Sequence, residues 1–148
     1  MLHARIIDIT NDKISIASAE KFISSSKFGA SVIFTGTVRD FNDNKEVTGM
    51  TYDCHDELVL KSLKEIYSEA GKILKIQDRA VYIEHIKGYV SLGEVSIIIA
   101  TACKHRDQAY VLSRYIIEEI KKRSPIWKKE HYKNHESEWL KGISIKTN

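Results

Sequence analysis

The segment Glu94–Cys103, apolar over most of its length, is the feature that most restricts how this chain can fold. Its β-branched and small side chains are typical of a central strand covered on both faces. A second strand is predicted over Ala80–Ile86, and the intervening residues 87–93 contain two glycines suited to a turn. These segments predict neighbouring strands inside a sheet.

The spacing of apolar residues predicts three helices, over 14–27, Glu57–Leu74 and about Asp107–Arg123. The second helix has the clearest pattern, with apolar side chains every three or four residues: Leu58, Leu63, Ile66, Tyr67, Ala70 and Leu74.

Two further strands are predicted over Ser31–Arg39 and Val47–Asp53, joined by the polar loop 40–45. The element order α-β-β-α-β-β-α predicts an α+β fold, a mostly antiparallel sheet with helices packed on one face.

Length and composition limit the protein classes. The chain has 148 residues, 43% of them hydrophobic, which fits one domain over 1–148. No apolar run is long enough to span a bilayer, and the N-terminal residues lack the apolar segment of a secretory signal, so we expect a cytoplasmic protein without membrane contact.

A net charge of +3 is too small to indicate nucleic-acid binding. No glycine-rich phosphate loop is present, and the isolated Cys54 and Cys103 indicate neither a disulfide framework nor a thiolate metal site.

The segment Lys121–Glu130 holds five basic residues around Pro125, the only proline. A helix that ends at this proline and continues into a lysine-rich stretch can direct ammonium groups from both sides of the turn towards one anion. The same cations are equally typical of a helix C terminus, where they favour the negative end of the helix dipole.

Helical geometry separates Lys121 from its neighbour. At about 100° per residue, one stripe of the third helix is apolar and is expected to face the core: Ala109, Leu112, Ile116 and Ile120. Lys121 lies roughly 100–120° from the centre of this stripe, whereas Lys122 lies almost opposite it. Partial desolvation of Lys121 would favour its neutral amine, the form that accepts a proton. A lysine that merely covers apolar surface fits the same position.

Three further cations lie at the ends of predicted elements. Arg39 ends one strand, and His105-Arg106 stands where the buried strand meets a helix N terminus, a common position for anion binding. Together with Lys121 and Lys128, these residues predict a site for an anionic ligand.

Several short motifs follow one another across nearly the whole chain: Gly29-Ala30, Phe34-Thr35-Gly36-Thr37-Val38-Arg39, His85 with Gly88 and Gly93-Glu94, His105-Arg106 with Ala109, Lys121 with Pro125-Ile126-Trp127-Lys128-Lys129-Glu130, and Trp139. As a set they resemble the MoaE family, the large catalytic subunits of molybdopterin synthase. The chain departs from the common family pattern at Ile86, where arginine is usual, in the loop after Arg39, which lacks a frequent glycine, and at Cys54-His55.

The resemblance implies an α/β-hammerhead fold and a homodimer within a heterotetramer. Each copy would bind a small ubiquitin-like sulfur-carrier subunit whose C-terminal Gly-Gly ends in a thiocarboxylate. Sulfur would pass from this tail to cyclic pyranopterin monophosphate, forming the dithiolene of molybdopterin, the organic precursor of the molybdenum cofactor.

The resemblance also implies roles for individual residues. Lys121 and Lys128 correspond to the catalytic lysines, which also contact substrate. The remaining substrate-binding positions are the backbone around Thr37 and Val38, the side chains of Arg39, His105 and Arg106, and Lys129 and Glu130 at the pocket rim. Because the sulfur arrives on the partner, this chemistry requires no cofactor, metal or cysteine nucleophile from this chain.

Other interpretations of the same residues remain open. Trp127, Tyr132 and Trp139 interleave with lysines, as in surfaces that stack single-stranded nucleic acid. His131 and His135, four residues apart, would share one face of a helix, although no third metal ligand at recognised spacing accompanies them. An inactive scaffold that only binds the ubiquitin-like partner is a third alternative, which the two lysines argue against.

Overall fold

The computed structural model describes residues 1–140, and the three predicted helices are present with slightly different ends. They are α1 (Ile16–Ile23), α2 (Asp56–Ile73) and α3 (Arg106–Arg123). Side chains cap the first two helices: Ser15 Oγ accepts from the Ser18 amide at 3.2 Å, and His55 Nδ1 accepts from the Leu58 amide at 3.4 Å. The C-terminal end of the predicted domain, residues 141–148, lies outside the described residues.

Residues 1–140 also contain eight strands, which form the sheet against which the helices pack. The predicted mixed α/β class with a mostly antiparallel sheet is confirmed. The strands are β1 (Leu2–Asp8), β2 (Ala30–Thr37), β3 (Phe41–Asn42), β4 (Lys45–Cys54), β5 (Arg79–Ser91), β6 (Val95–Cys103), β7 (Ile126–Tyr132) and β8 (Glu138–Trp139). Four of them, β1, β3, β7 and β8, were not predicted from the sequence. β1 pairs with β5 in parallel, and every other pair is antiparallel.

The long strand β5 belongs to two parts of the sheet. Its first half pairs with β6 and β1, and with β2 beyond β6 this forms the central sheet. Its last residues pair with β4, which continues through β7 to β8 and forms the side sheet, with β3 folded onto β4. Gly88 lies at the junction with φ +113°, and a Cβ there would lie 2.6 Å from Ile9 Cγ2. Only glycine fits this bend without strain.

Helices cover both faces of the central sheet, so the prediction of helices on one face was wrong. α2 and α3 pack on the face formed by Ile83, Ile97 and Ile99. α1 packs on the opposite face, around Ile98 and Ala100. The burial of β6 on both faces, predicted from its composition, is confirmed because Ile98 and Ile99 are both fully buried.

The apolar pattern of α2 was correct except at its first position. Leu63, Ile66 and Ala70 are buried, but Leu58 is 51% exposed, because in the first turn of α2 the neighbouring Val59 faces the core instead. Among residues 1–140, no helix combines the length and apolar character needed to cross a bilayer.

Candidate active site

A cavity of about 350 Å³ lies where the two parts of the sheet meet the C-terminal end of α3. The end of β2, the last turn of α3 and β7 supply its charged side chains, while β4, β5 and β6 supply its floor. It is lined by six of the predicted site residues: Thr37, Val38, Arg39, Lys121, Lys128 and Glu130. The predicted residues His105, Arg106 and Lys129 do not line it.

A β-bulge shapes the wall that leads to Arg39. The register between β2 and β6 shifts between Gly36 and Thr37, and a Cβ on Gly36 would lie 2.7 Å from Ile97 Cγ2. Beyond the bulge, the Val38 amide donates to the Glu94 carbonyl at 3.3 Å, and the Val38 carbonyl accepts from the Gly93 amide at 2.9 Å. Both backbone groups of Val38 are therefore engaged within the fold, and the substrate contact through the backbone around Thr37 and Val38 stays a prediction.

The predicted geometry of α3 is confirmed. The stripe Ala109, Leu112, Ile116 and Ile120 is buried, and Lys121 lies beside it at the cavity. Lys122 points away, with its Nζ 3.5 Å from a carboxylate oxygen of Glu119. Lys121 is itself solvent-exposed, so it lies at the open side of the cavity rather than in a desolvated wall.

The segment after Pro125 is a strand and not the turn that the sequence suggested. In β7, Lys128 pairs with Tyr52 and Glu130 with Met50 of β4. Because side chains alternate along a strand, Lys128 and Glu130 face the cavity whereas Lys129 faces away. Lys129 Nζ lies 5.6 Å from the centre of the Trp139 ring, so the predicted place for Lys129 at the pocket rim was wrong.

Lys128 has the most perturbed environment of the cavity cations. Burial lowers its pKa below the usual lysine range, and the positive charges of Lys121 and Arg39 lower it further, while Glu130 acts in the opposite direction. No described residue forms an ion pair with Lys128, Lys121 or Arg39. Three cations from three elements thus converge on one cavity, where an anionic ligand would neutralise their repulsion.

Glu130 is the buried carboxylate of the site, with 3% of its surface exposed. Its Oε1 accepts a hydrogen bond from Asn42 Nδ2 at 2.9 Å, and the Tyr132 hydroxyl also bonds to this side chain. Glu130 therefore lies in the cavity wall and not at the rim. Its fixed negative charge favours the protonated form of Lys128 and limits how far burial can neutralise that lysine.

His105 and Arg106 lie at the other end of the central sheet. β2 and β6 are antiparallel, so Cys103 at the end of β6 faces Ala30 at the start of β2. Arg39 follows the opposite end of β2. Ile97 of β6 lines the cavity, and the strand rises about 20 Å over the six steps from Ile97 to Cys103. The single cluster of five cations expected from the sequence is therefore not formed within one chain.

The two histidines considered as metal ligands do not share a helix face. His131 lies on β7, and its Nε2 lies 2.7 Å from Thr51 Oγ1, within hydrogen-bonding distance. Residues 1–140 contain no group of three or more His, Cys, Asp or Glu side chains arranged to hold a metal ion.

Five polar side chains of the cavity lining were not predicted as site residues: Asn42, Tyr52, His85, Ser96 and Ser124. Tyr52 lies opposite Lys128 in the side sheet, and His85 and Ser96 belong to neighbouring strands. Strand alternation could have placed Tyr52 if β7 had been recognised, because cross-strand partners share a face.

Replacing Lys128 by glutamine should stabilise the fold at pH 7. A lowered pKa means that the charged amine is less stable in the folded than in the unfolded protein, which lowers the free energy of unfolding. This loss of stability is largest below the folded-state pKa and disappears above the unfolded-state pKa of about 10.4. We expect the Lys128→Gln variant to unfold at a higher temperature than the wild type at pH 7, with a smaller difference as the pH approaches 10. A lower unfolding temperature at pH 7 would contradict this interpretation.

The fold and cavity define a class: a mixed α/β domain whose cavity gathers arginine and lysine side chains and is lined by neither Cys54 nor Cys103. Residues 9–123 match the family model described as MoaE protein. The chain therefore belongs to the MoaE family.

Individual relatives agree with this assignment. The molybdopterin synthase catalytic subunit of Synechococcus elongatus is 36% identical over 92% of this chain and 82% of its own length. The crystal structure of molybdopterin synthase from Staphylococcus aureus superimposes with a TM-score of 0.83 at 29% identity, covering 92% of this chain and 95% of that one. A complex of subunits 1 and 2 of molybdopterin-converting factor from Helicobacter pylori shares the fold, with a TM-score of 0.71 at 23% identity over 95% of this chain and 90% of that one.

Proposed function

We propose that this chain is the catalytic subunit of a molybdopterin synthase. It transfers sulfur from the C-terminal thiocarboxylate of a small ubiquitin-like subunit to cyclic pyranopterin monophosphate, and two transfers form the dithiolene. The observation that carries the proposal is the convergence of Arg39, Lys121 and Lys128 on one cavity that contains no thiol. Conversion of this substrate with a thiocarboxylated partner is the experiment that tests it.

The cavity chemistry supports this reaction. The partner supplies the sulfur nucleophile, so the cavity must bind the cyclic phosphate and the anionic tail of the partner. Arginine and lysine side chains stabilise such negative charges, most strongly where water is excluded. Opening of the phosphate ring and hydrolysis of the acyl link left after each transfer require proton transfer. Burial and the neighbouring cations lower the pKa of Lys128, which favours the neutral amine that accepts a proton. Lys121 lies at the open side of the cavity, and in this proposal it meets the carrier tail.

The partner and the oligomeric state are part of the proposal. In the Helicobacter pylori structure, two subunits of molybdopterin-converting factor form a complex. We infer a small carrier subunit for this chain as well, and a homodimer at the centre of a heterotetramer. A homodimer would explain why His105 and Arg106 lie far from the cavity of their own chain. In a dimer, these two residues of one copy can reach the cavity of the other copy. The cytoplasmic location stays a prediction.

Arg106→Ala tests this use of the second copy. If Arg106 of one copy contacts the substrate in the other, the variant should bind cyclic pyranopterin monophosphate about tenfold more weakly, because one charge-assisted contact is lost. Titration calorimetry measures the affinity, and co-elution with the small subunit should be unchanged. Lys104→Ala removes an adjacent exposed cation and is the matched control, with wild-type affinity expected. Equal affinities for all three proteins would remove Arg106 from the site.

A nucleic-acid surface is the main alternative, and one observation favours it: Trp127 and Trp139 are 52% and 54% exposed. Tyr132, the third aromatic residue considered for stacking, is buried and unavailable. With a net charge of +3, few phosphate contacts are available, so we expect generic single-stranded RNA to compete poorly with substrate at physiological salt. Tight, strongly salt-dependent RNA binding in a filter or fluorescence assay would favour the alternative.

A further inference from the structure

His85 is a buried cavity residue to which the reaction above gives no role. It lies on β5 with 7% of its surface exposed, and its ring meets the edge of the Tyr52 ring at a centroid distance of 4.9 Å. Tyr52 is the cross-strand partner of Lys128, so His85 is close to the catalytic lysines.

The backbone determines which nitrogen of His85 carries the proton. Nδ1 lies 2.7 Å from the Ile86 carbonyl oxygen, which can only accept, so Nδ1 carries the hydrogen. A neutral imidazole has one N–H, and Nε2 is therefore a lone-pair acceptor. Burial, together with the charge of Lys128, lowers the pKa of His85 to about 4 against the opposing hydrogen bond to the Ile86 carbonyl. The ring is consequently neutral at any pH at which the protein is expected to work.

Nε2 of His85 has no hydrogen-bond partner among residues 1–140, although its neighbours are satisfied. The Tyr52 hydroxyl donates to Ser96 Oγ at 3.1 Å, and Ser96 Oγ donates to the Gly36 carbonyl at 3.2 Å. His85 lines the cavity, and its Nε2 is not among the buried polar atoms of residues 1–140 that lack a partner. This nitrogen is therefore open to the cavity, where a ligand can supply the donor.

We propose that His85 recognises the heterocycle of the substrate, with Nε2 accepting a hydrogen bond from one of its N–H or O–H groups. This inference rests on the proposed function. In their charged forms, Arg39, Lys121 and Lys128 can donate to a phosphate but cannot accept from a ring N–H. Glu130 is an acceptor, but Asn42 already donates to one of its oxygens. The hydroxyls of Tyr52 and Ser96 can both donate and accept, whereas the neutral His85 ring offers Nε2 only as an acceptor, which distinguishes the heterocycle from a simple phosphate monoester.

Two variants separate recognition from a structural role. In His85→Asn the amide can replace Nδ1 and keep the bond to the Ile86 carbonyl, but nothing replaces Nε2. In His85→Gln the longer side chain can place its carbonyl oxygen near Nε2, at the expense of the backbone bond. We expect His85→Asn to raise KM for cyclic pyranopterin monophosphate about tenfold, with kcat within about twofold and unchanged affinity for the small subunit. His85→Gln should keep KM within about threefold of the wild type.

The opposite ranking would overturn the inference. If His85→Asn has the KM of the wild type, or if His85→Gln is the more damaged variant, His85 acts only through its bond to the backbone. A second measurement needs no variant: in wild-type protein without the small subunit, the 15N resonance of Nε2 should move upfield on addition of substrate, while that of Nδ1 stays in place. An unchanged Nε2 resonance at saturating substrate would also overturn the inference.

These results are distinguishable from failure of the proposed function. If the wild type forms dithiolene and the variants rank oppositely, the function stands and the role of His85 falls. If the wild type with thiocarboxylated partner forms no dithiolene, the proposed function falls and the inference falls with it.

Discussion

Replacing Lys121 by alanine is expected to reduce sulfur transfer almost to background while the fold is retained. Lys121 lies beside the buried stripe of α3 at the open side of the cavity. It is exposed, so its removal leaves no cavity in the core and the unfolding temperature should change little. Under the proposed function, however, the reaction would lose a cation that contacts the carrier tail and the phosphate. Single-turnover formation of dithiolene measures the effect.

Lys122→Ala is the matched control for this prediction. It removes the same charge one residue away, on the face of α3 where Lys122 forms an ion pair with Glu119. A surface pair of this kind contributes about 0–1 kcal/mol to stability, so we expect wild-type turnover. Equal activities in the two variants would refute the assignment of Lys121.

Replacing Lys128 by glutamine is expected to slow turnover by about 100-fold, as for loss of one charge-assisted contact in a transition state. β7 anchors the Lys128 backbone opposite Tyr52 and directs its side chain into the cavity, which restricts where its amine can lie relative to a bound substrate. Because the same substitution is expected to stabilise the fold, a loss of activity would not come from unfolding. Lys129→Gln, on the opposite face of the same strand, should keep wild-type turnover.

Both catalytic lysines are also expected to be acylated by the carrier when substrate is absent. The lysine nitrogen attacks the thiocarboxylate carbon, the C–S bond breaks, and hydrogen sulfide leaves, which forms an isopeptide link. Mass spectrometry of the mixed subunits should locate the link at Lys121 or Lys128. A link at neither lysine, together with normal turnover of Lys128→Gln, would remove Lys128 from the mechanism.

Local sequence patterns predicted the helices and the four main strands because each carries its apolar residues at one regular period. β7 was missed for a functional reason. Its residues Lys128 and Glu130 face a charged cavity, and Lys129 faces the surface, so neither face shows the apolar alternation of a strand. β1 was missed because its pairing partner, β5, lies more than 70 residues away in the sequence and local periodicity contains no information about such pairing.

The site residues likewise divide into those placed by local sequence patterns and those placed by pairing between distant strands. Arg39 and Lys121 could be predicted because one ends a strand and the other has a defined position on a helix. His105 and Arg106 were expected in the same cluster because they also follow a strand. Because β2 and β6 are antiparallel, their C-terminal ends lie at opposite ends of the sheet, and the residues that follow them are far apart. Strand direction is a property of the whole sheet and was not readable from either segment.

The most direct test of the central claim is a single conversion assay. Purified protein is mixed with cyclic pyranopterin monophosphate and a small subunit that carries a C-terminal thiocarboxylate, and the dithiolene product is measured after oxidation to a fluorescent pterin. We predict that product forms with two carrier thiocarboxylates consumed per molybdopterin, and that a carrier ending in an ordinary carboxylate yields none. Absence of dithiolene with an authentic, fully thiocarboxylated partner would contradict the account.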